Sequence, residues 1–113
     1  MLPRFKKLNA DPALALKVTM KKVEQKLFKF AEDGNFSLNV SGCTATIALI
    51  AGNKLYIANV GDSKAFICSG ESAQQLSIDH TCAIKGELDR IIAHGGHVKF
   101  NPTTKIYRTF IKD

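Results

Sequence analysis

Residues 55–68 read LYIANVGDSKAFIC: two apolar runs, Leu55–Val60 and Ala65–Cys68, interrupted by Gly61-Asp62-Ser63. Glycine followed by aspartate and serine is turn chemistry, because glycine takes backbone angles closed to other residues and the two short polar side chains bond nearby main chain. The fold must therefore break a strand here and present one carboxylate, Asp62, at the break. Standing alone, Asp62 is explained as a turn residue. A metal-binding or catalytic role requires partners from elsewhere in the chain.

On its N-terminal side the stretch is preceded by CTATIALI, residues 43–50, rich in β-branched and apolar side chains, and by the turn pair Gly52-Asn53. Two such runs about a short glycine-containing turn predict a β-hairpin. On its C-terminal side, Ser69-Gly70-Glu71 is a second turn and Gln74–Ile78 a short further strand, extending the hairpin into an antiparallel meander. A second helix is predicted over Lys85–His94, with Leu88, Ile91 and Ile92 on one face and Gly95-Gly96 at its end. His97–Phe100, a turn at Asn101-Pro102 and Ile106–Ile111 form a last hairpin.

Before the strands the periodicity is helical. Asp11 is suited to cap, Pro12 to the first helical position, and Leu16, Met20, Val23, Leu27 and Phe30 recur at intervals of three and four, which keeps them on one face. Gly34 is the expected stop. Helix, meander, helix and hairpin in this order give an α+β chain rather than a doubly wound parallel sheet. No internal repeat or linker divides the sequence, so residues 1–113 are expected to form a single domain.

Charge is unevenly placed. Residues 1–30 hold eight of the 16 Lys/Arg against two acids, Asp11 and Glu24, whereas the remainder is balanced, so the net charge of +6 is N-terminal. A helix carrying Lys17, Lys21, Lys22, Lys26 and Lys29 is basic and amphipathic, but no arginine or aromatic cluster interleaves the lysines. It is read as a packing helix with a solvated lysine face, and no nucleic-acid partner is expected. No run approaches the roughly 18 apolar residues of a membrane span and no secretory leader is visible, so a cytoplasmic or nuclear location is expected. Three cysteines, Cys43, Cys68 and Cys82, fit neither a disulfide framework nor a zinc ribbon and are read as buried or inert thiols. Cys43 in particular is expected as a small buried side chain opening a central strand. His80, His94, His97 and Asp79 match no familiar zinc spacing.

Taken in order, SGCTATIALI, LYIANVGDSKAFIC, LSIDH and ELDRIIAHGGHV resemble the middle of the metal-dependent Ser/Thr protein phosphatases of the PPM family, also called protein phosphatase 2C. The resemblance covers about Ser41 to Val98. It implies a partial α/β/β/α sandwich of antiparallel sheets, truncated at both ends, from a domain that removes phosphate from phosphoserine and phosphothreonine proteins with water activated by two Mg²⁺ or Mn²⁺ ions. Asp62 falls on the aspartate of the family's Gly-Asp-Ser-Arg, which by resemblance contributes to an additional metal position. Lys64 stands where the family carries arginine. Asp79-His80 match the family's Asp-His, with Thr81-Cys82 where Lys-Pro often follows. Glu87, Arg90, Ile91, Gly95, Gly96 and Val98 match an architectural helix and its end.

The family's Asp-Gly-His-Gly segment, whose aspartate bridges both ions, has no counterpart in the sequence, and Arg108 in RTFIKD lacks the Gly-Asp of the family's Arg-Ala-Leu-Gly-Asp. A pair of divalent ions can lower the pKa of bound water towards about 7 while clamping the phosphoryl oxygens, and such hard ions need several oxygen ligands. No catalytic residue is therefore assigned in this chain, and Asp62 is its one metal-site candidate. Two functional classes follow: a segment of a protein phosphatase, inactive by itself, or a pseudophosphatase-like binding module. Because a sandwich buries each sheet against the other, residues such as Ile47, Leu49, Leu55, Ile57, Val60 and Phe66 are expected to build an uncovered inner face and favour self-association.

Overall fold

The computed structural model describes residues 11–111. It contains helix α1 (Pro12–Glu32), strands β1 (Ala45–Ala51), β2 (Lys54–Val60), β3 (Phe66–Ser69) and β4 (Ser72–Gln75), helix α2 (Lys85–Ala93), and strands β5 (Gly96–Asn101) and β6 (Ile106–Ile111). Two helices and three small antiparallel sheets make it α+β, as the periodicities predict.

Local chemistry sets the element ends. At the start of α1 the Asp11 carboxylate accepts from Leu14 N at 3.1 Å and Pro12 occupies the first turn, which satisfies one donor that has no helical partner and needs none from the proline. The helix ends at Glu32, two residues before the expected Gly34. In the last hairpin Asn101 Oδ1 accepts from Thr103 N at 2.9 Å and Thr104 N at 3.1 Å, so a side chain turns the chain where proline supplies no donor.

The sheets differ from the expected meander. Each consists of two strands, β1–β2, β3–β4 and β5–β6, and no ladder joins β2 to β3 among the described residues. The physical reason lies in residues 61–65: the Gly61-Asp62-Ser63 turn carries the chain away from β2, and β3 begins at Phe66 rather than Ala65. The fourth strand is Ser72–Gln75, not Gln74–Ile78, because the Ser69-Gly70-Glu71 turn is tight enough to pair Ser69 with Ser72. Beyond the ladder, contact between the two arms continues irregularly, with Leu76 N donating to Ala65 O at 2.8 Å and Ala65 N to Ser77 Oγ at 2.9 Å.

Register also corrects the expected inner face. In β1–β2, Ile47 opposes Ala58 and Leu49 opposes Tyr56, whereas Ala48 opposes Ile57 and Ile50 opposes Leu55. Because side chains alternate between faces, Ile47, Leu49 and Val60 share one face and Leu55 and Ile57 lie on the other. The hairpin is apolar on both sides, the pattern of a sheet meant to be covered twice. Helix α1 lies across β2, where Leu16 and Met20 approach Tyr56, Ile57 and Val60. Ala15 and Leu16 are the apolar residues fully buried among those described. Further along α1, Val23, Leu27 and Phe30 are exposed, as are Ile50 at 76% and Ile78 at 76%. Helix α2 meets β5 more closely: a Cβ on Gly96 would sit 2.8 Å from Ile91 Cγ2, so the helix-to-strand crossing accepts nothing larger than glycine.

A radius of gyration of 17.0 Å exceeds the roughly 13 Å of a compact chain of this length. With so little apolar surface removed from water, the hydrophobic contribution to cooperativity is small, since it scales with the area buried at about 25 cal/mol per Å². The 113-residue chain is accordingly expected to bind an apolar dye such as ANS strongly and to unfold in urea with a slope below about 1 kcal/mol per M, the low end for small domains. A sharp transition without dye binding would contradict this account of the packing.

Candidate active-site cleft

Asp62 sits on the turn that leaves β2, and five hydrogen bonds fix that turn. Gly61 has φ 101°, and a Cβ there would lie 2.5 Å from Thr44 Cγ2, so both the backbone angle and the neighbouring side chain require glycine. The Gly61 carbonyl accepts from His80 N at 2.9 Å and from Asn59 Nδ2 at 3.0 Å. Asn59 Nδ2 donates also to Ile78 O at 2.7 Å, and Asn59 Oδ1 accepts from Thr46 Oγ1 at 2.6 Å. The Thr44 and Ser63 hydroxyls are 2.6 Å apart. A single amide thus ties β1, the turn and the 76–80 loop together.

A second tie lies one residue beyond. Lys64 Nζ is hydrogen-bonded to Asp79 Oδ2, and Gln75 Nε2 donates to Asp79 Oδ1 and to Ser77 O, both at 2.9 Å. The Lys64 ammonium, through its hydrogen bond and its charge, holds the Asp79 carboxyl below the ordinary aspartate range, with Gln75 and His80 assisting. Asp79 is therefore engaged with Lys64, which follows the Gly61-Asp62-Ser63 turn in sequence. Asp62 is left exposed on the turn.

The turn opens into a cleft of about 1080 Å³ whose walls are Asp62 with the His80–Ala83 loop, the α2 residues Glu87, Arg90 and Ile91, and Lys105–Thr109 of the last hairpin. Arg90 Nη2 donates to Glu87 Oε2 at 2.8 Å, one helical turn apart, which holds the Glu87 carboxyl down and the Arg90 guanidinium up. Cys82 is half-buried in the cleft wall.

Several expectations resolve here. Asp62, His80, Glu87, Arg90 and Arg108 line one cleft, and Asp79 does not line it but is bonded to Lys64 and Gln75. His94 and His97 are not: His94 Nδ1 donates to Arg90 O at 2.8 Å, and His97 stacks on Phe110 with centroids 5.6 Å apart. Cys43 and Cys68 are exposed, not buried, because Cys43 precedes β1 and lies on an open apolar groove with Val23, Leu27 and Phe36. Asn59 was not singled out by motif. Its signal was available in register, since a hairpin centred on Gly52-Asn53 places Asn59 directly opposite Thr46.

The Protein phosphatase 2C family profile matches residues 2–107. Among similar proteins, Protein phosphatase 2C homolog 2 of Hypocrea jecorina is 48% identical over 68 residues, 60% of this chain and 16% of the relative. Protein phosphatase 2C homolog 3 of Schizosaccharomyces pombe is 48% identical over 69 residues, 61% of this chain and 17% of the relative. Probable protein phosphatase 2C 45 of Oryza sativa subsp. japonica is 33% identical over 105 residues, 93% of this chain and 36% of the relative. No solved structure matches. The chain belongs to the protein phosphatase 2C family. Where it matches these relatives it spans between about a sixth and about a third of their length.

The family is metal-dependent, so the fit of the residues to an ion matters. Among the described residues no three His, Cys, Asp or Glu side chains gather closely enough to hold a metal. Asp62 offers one carboxylate, and Asp79 is committed to Lys64 and Gln75. These residues alone do not fit a tightly held ion.

Two outcomes are expected from this geometry. Asn59→Ala removes three hydrogen bonds and leaves partners unsatisfied at about 1–3 kcal/mol each at most, so the His80 and Ala65 amides are expected to exchange with solvent roughly ten- to a hundred-fold faster. Unchanged protection would contradict the role given to Asn59. For Asp79, whose folded pKa is lowered, the Lys64 contact adds stability at neutral pH, above the ordinary aspartate pKa of about 3.9, and loses it as pH falls through the lowered value. NMR titration of the Asp79 carboxyl is expected to show it low in the native protein and returned upward in Lys64→Ala. Equal titration in both would contradict the pairing.

Proposed function

We propose that this chain is a segment of a metal-dependent protein phosphatase acting on phosphoserine and phosphothreonine proteins, and that it contributes the Asp62 corner of the site without being active by itself. The observation carrying this proposal is the bonded Gly61-Asp62-Ser63 turn at the mouth of the cleft in a chain of the protein phosphatase 2C family. A merely local turn would not require an asparagine from the preceding strand and a backbone donor 19 residues downstream to keep its carbonyl in place.

Within this proposal the residues divide the work. Asp62 would offer one carboxylate oxygen towards Mg²⁺ or Mn²⁺, too few ligands among the described residues to hold an ion tightly. Asn59, Thr44 and His80 N hold the turn, and Lys64 neutralises Asp79 so that a second negative charge does not distort it. When bound, a divalent pair would supply water activation and charge stabilisation of the phosphoryl group. A non-catalytic binding module has no observation of its own in its favour.

The 113-residue chain is expected to release no phosphate from a phosphothreonine peptide at any Mn²⁺ concentration, because the sequence lacks the bridging Asp-Gly-His-Gly segment. Calorimetry is expected to show Mn²⁺ binding only in the millimolar range, as a single carboxylate competes poorly with hydration, and none above background in Asp62→Asn. Turnover by the pure chain that is lost in Asp62→Asn, or micromolar Mn²⁺ binding, would sink the assignment of an incomplete site.

A further inference from the structure

The cleft that Asp62 lines also carries charge that the proposed chemistry does not use. Lys105 and Arg108 line it from the β5–β6 hairpin, and Arg90 lies on α2 between them and the turn in sequence. Arg90 is neutralised by Glu87 at 2.8 Å. The ion pairs among the described residues are Lys64–Asp79, Lys85–Asp89 and Arg90–Glu87, so neither Lys105 nor Arg108 has a carboxylate partner there.

Register adds a second, independent observation. Arg108 lies directly opposite Lys99 in the β5–β6 ladder. Like charges opposed across strands are destabilising. The ladder gives no relief from acids: the positions on this face of the hairpin are His97, Lys99 and Asn101 on β5 and Ile106, Arg108 and Phe110 on β6. Lys99 rests its ammonium 5.4 Å from the Phe110 ring centroid, which accommodates one cation and leaves Arg108 unmatched at the cleft edge. Lys105 adds a further cation at the tip of the same hairpin, at φ 57°. A hairpin that tolerates this repulsion presents a surface suited to an anionic partner.

We infer that Lys105 and Arg108 form a docking wall for acidic residues flanking the phosphorylated side chain, so that this cleft takes phosphopeptides with aspartate or glutamate beside the phosphosite. The inference rests on the phosphatase assignment for the identity of the ligand, but its charge preference is read separately. The phosphosite would face Asp62 and the flanking carboxylates would meet the hairpin. Arg108 is suited to the contact by its planar fork, which grips a carboxylate through two parallel hydrogen bonds.

The test is fluorescence anisotropy at low ionic strength with the full 113-residue chain and four labelled ten-residue probes. These are a phosphothreonine peptide flanked by aspartates, the same peptide flanked by serines, the unphosphorylated aspartate peptide, and a single-stranded oligouridylate of matched charge. The aspartate phosphopeptide is expected to bind at least tenfold more tightly than the serine-flanked one, with the preference fading as salt rises. Lys105→Glu/Arg108→Glu is expected to abolish the preference, while Arg108→Lys, which keeps the charge and loses the planar fork, weakens it without abolishing it, with the circular dichroism spectrum unchanged in both variants. Equal binding of the two phosphopeptides would overturn the inference, as would a preference that survives the double charge reversal. Oligouridylate binding as tight as that of the aspartate phosphopeptide would also overturn it, by showing a general polyanion surface. If the aspartate preference holds but phosphorylation adds no affinity, the docking wall stands, since this chain alone holds no tightly bound ion to meet the phosphate; failure of the phosphatase assignment is read separately, from Mn²⁺ binding that survives Asp62→Asn.

Discussion

One backbone carbonyl carries more of this structure than any side-chain cluster. Gly61 O receives Asn59 from its own strand and His80 from a loop 19 residues away, and it can do so because glycine alone takes φ 101° with Thr44 pressed against it. The consequences spread outward from that point. With the carbonyl held, Ser63 meets Thr44, Lys64 meets Asp79, and the 76–80 loop closes over the start of β3. Asp62 then projects from a fixed turn into the cleft instead of moving with a loose loop. The network consists of polar ties to a strand that is itself weakly packed, which explains how a local site is well defined in a chain that buries few apolar residues.

That division between ordered local geometry and open packing follows from which interactions need distant partners. Hairpins are specified by neighbours in sequence, through turn chemistry and cross-strand pairing. A sandwich core requires one sheet to lie on another, and the apolar residues on both faces of β1–β2 show that this hairpin is built for such covering. Exposed Ile50, Leu55 and Ile78, and the open groove between α1 and the segment from Phe36 to Ala45, mark the surfaces concerned. The basic character of α1 does not change this, since its lysines lie among solvent-exposed positions.

Much of this was legible in the sequence, for particular reasons. Asp11-Pro12 and the three-four spacing of Leu16, Met20, Val23, Leu27 and Phe30 located α1, and the Gly52-Asn53 pair located β1 and β2, because both signals are local. Asp62 was found by motif. The pairing of Asp79 with Lys64 was not, since it spans 15 residues and depends on the irregular contact that replaces a β2–β3 ladder. The shared inner face is illegible for a different reason: without the register its six apolar residues look alike, and a single-residue offset puts Leu55 and Ile57 on the opposite side from Ile47 and Leu49. Exposure of Cys43 and Cys68 depends on coverage, which no local pattern encodes.

As proposed above, the Gly61-Asp62-Ser63 turn is held as the metal-facing corner of a phosphatase site. Paramagnetic broadening tests it most directly, because Mn²⁺ relaxes nearby nuclei even when it binds weakly. Substoichiometric Mn²⁺ added to ¹⁵N-labelled protein is expected to broaden the amide signals of Gly61–Ser63 and His80 first, with the effect lost in Asp62→Asn. Broadening centred elsewhere, for instance on Glu32-Asp33 or Glu71, with the turn unaffected, would contradict the claim.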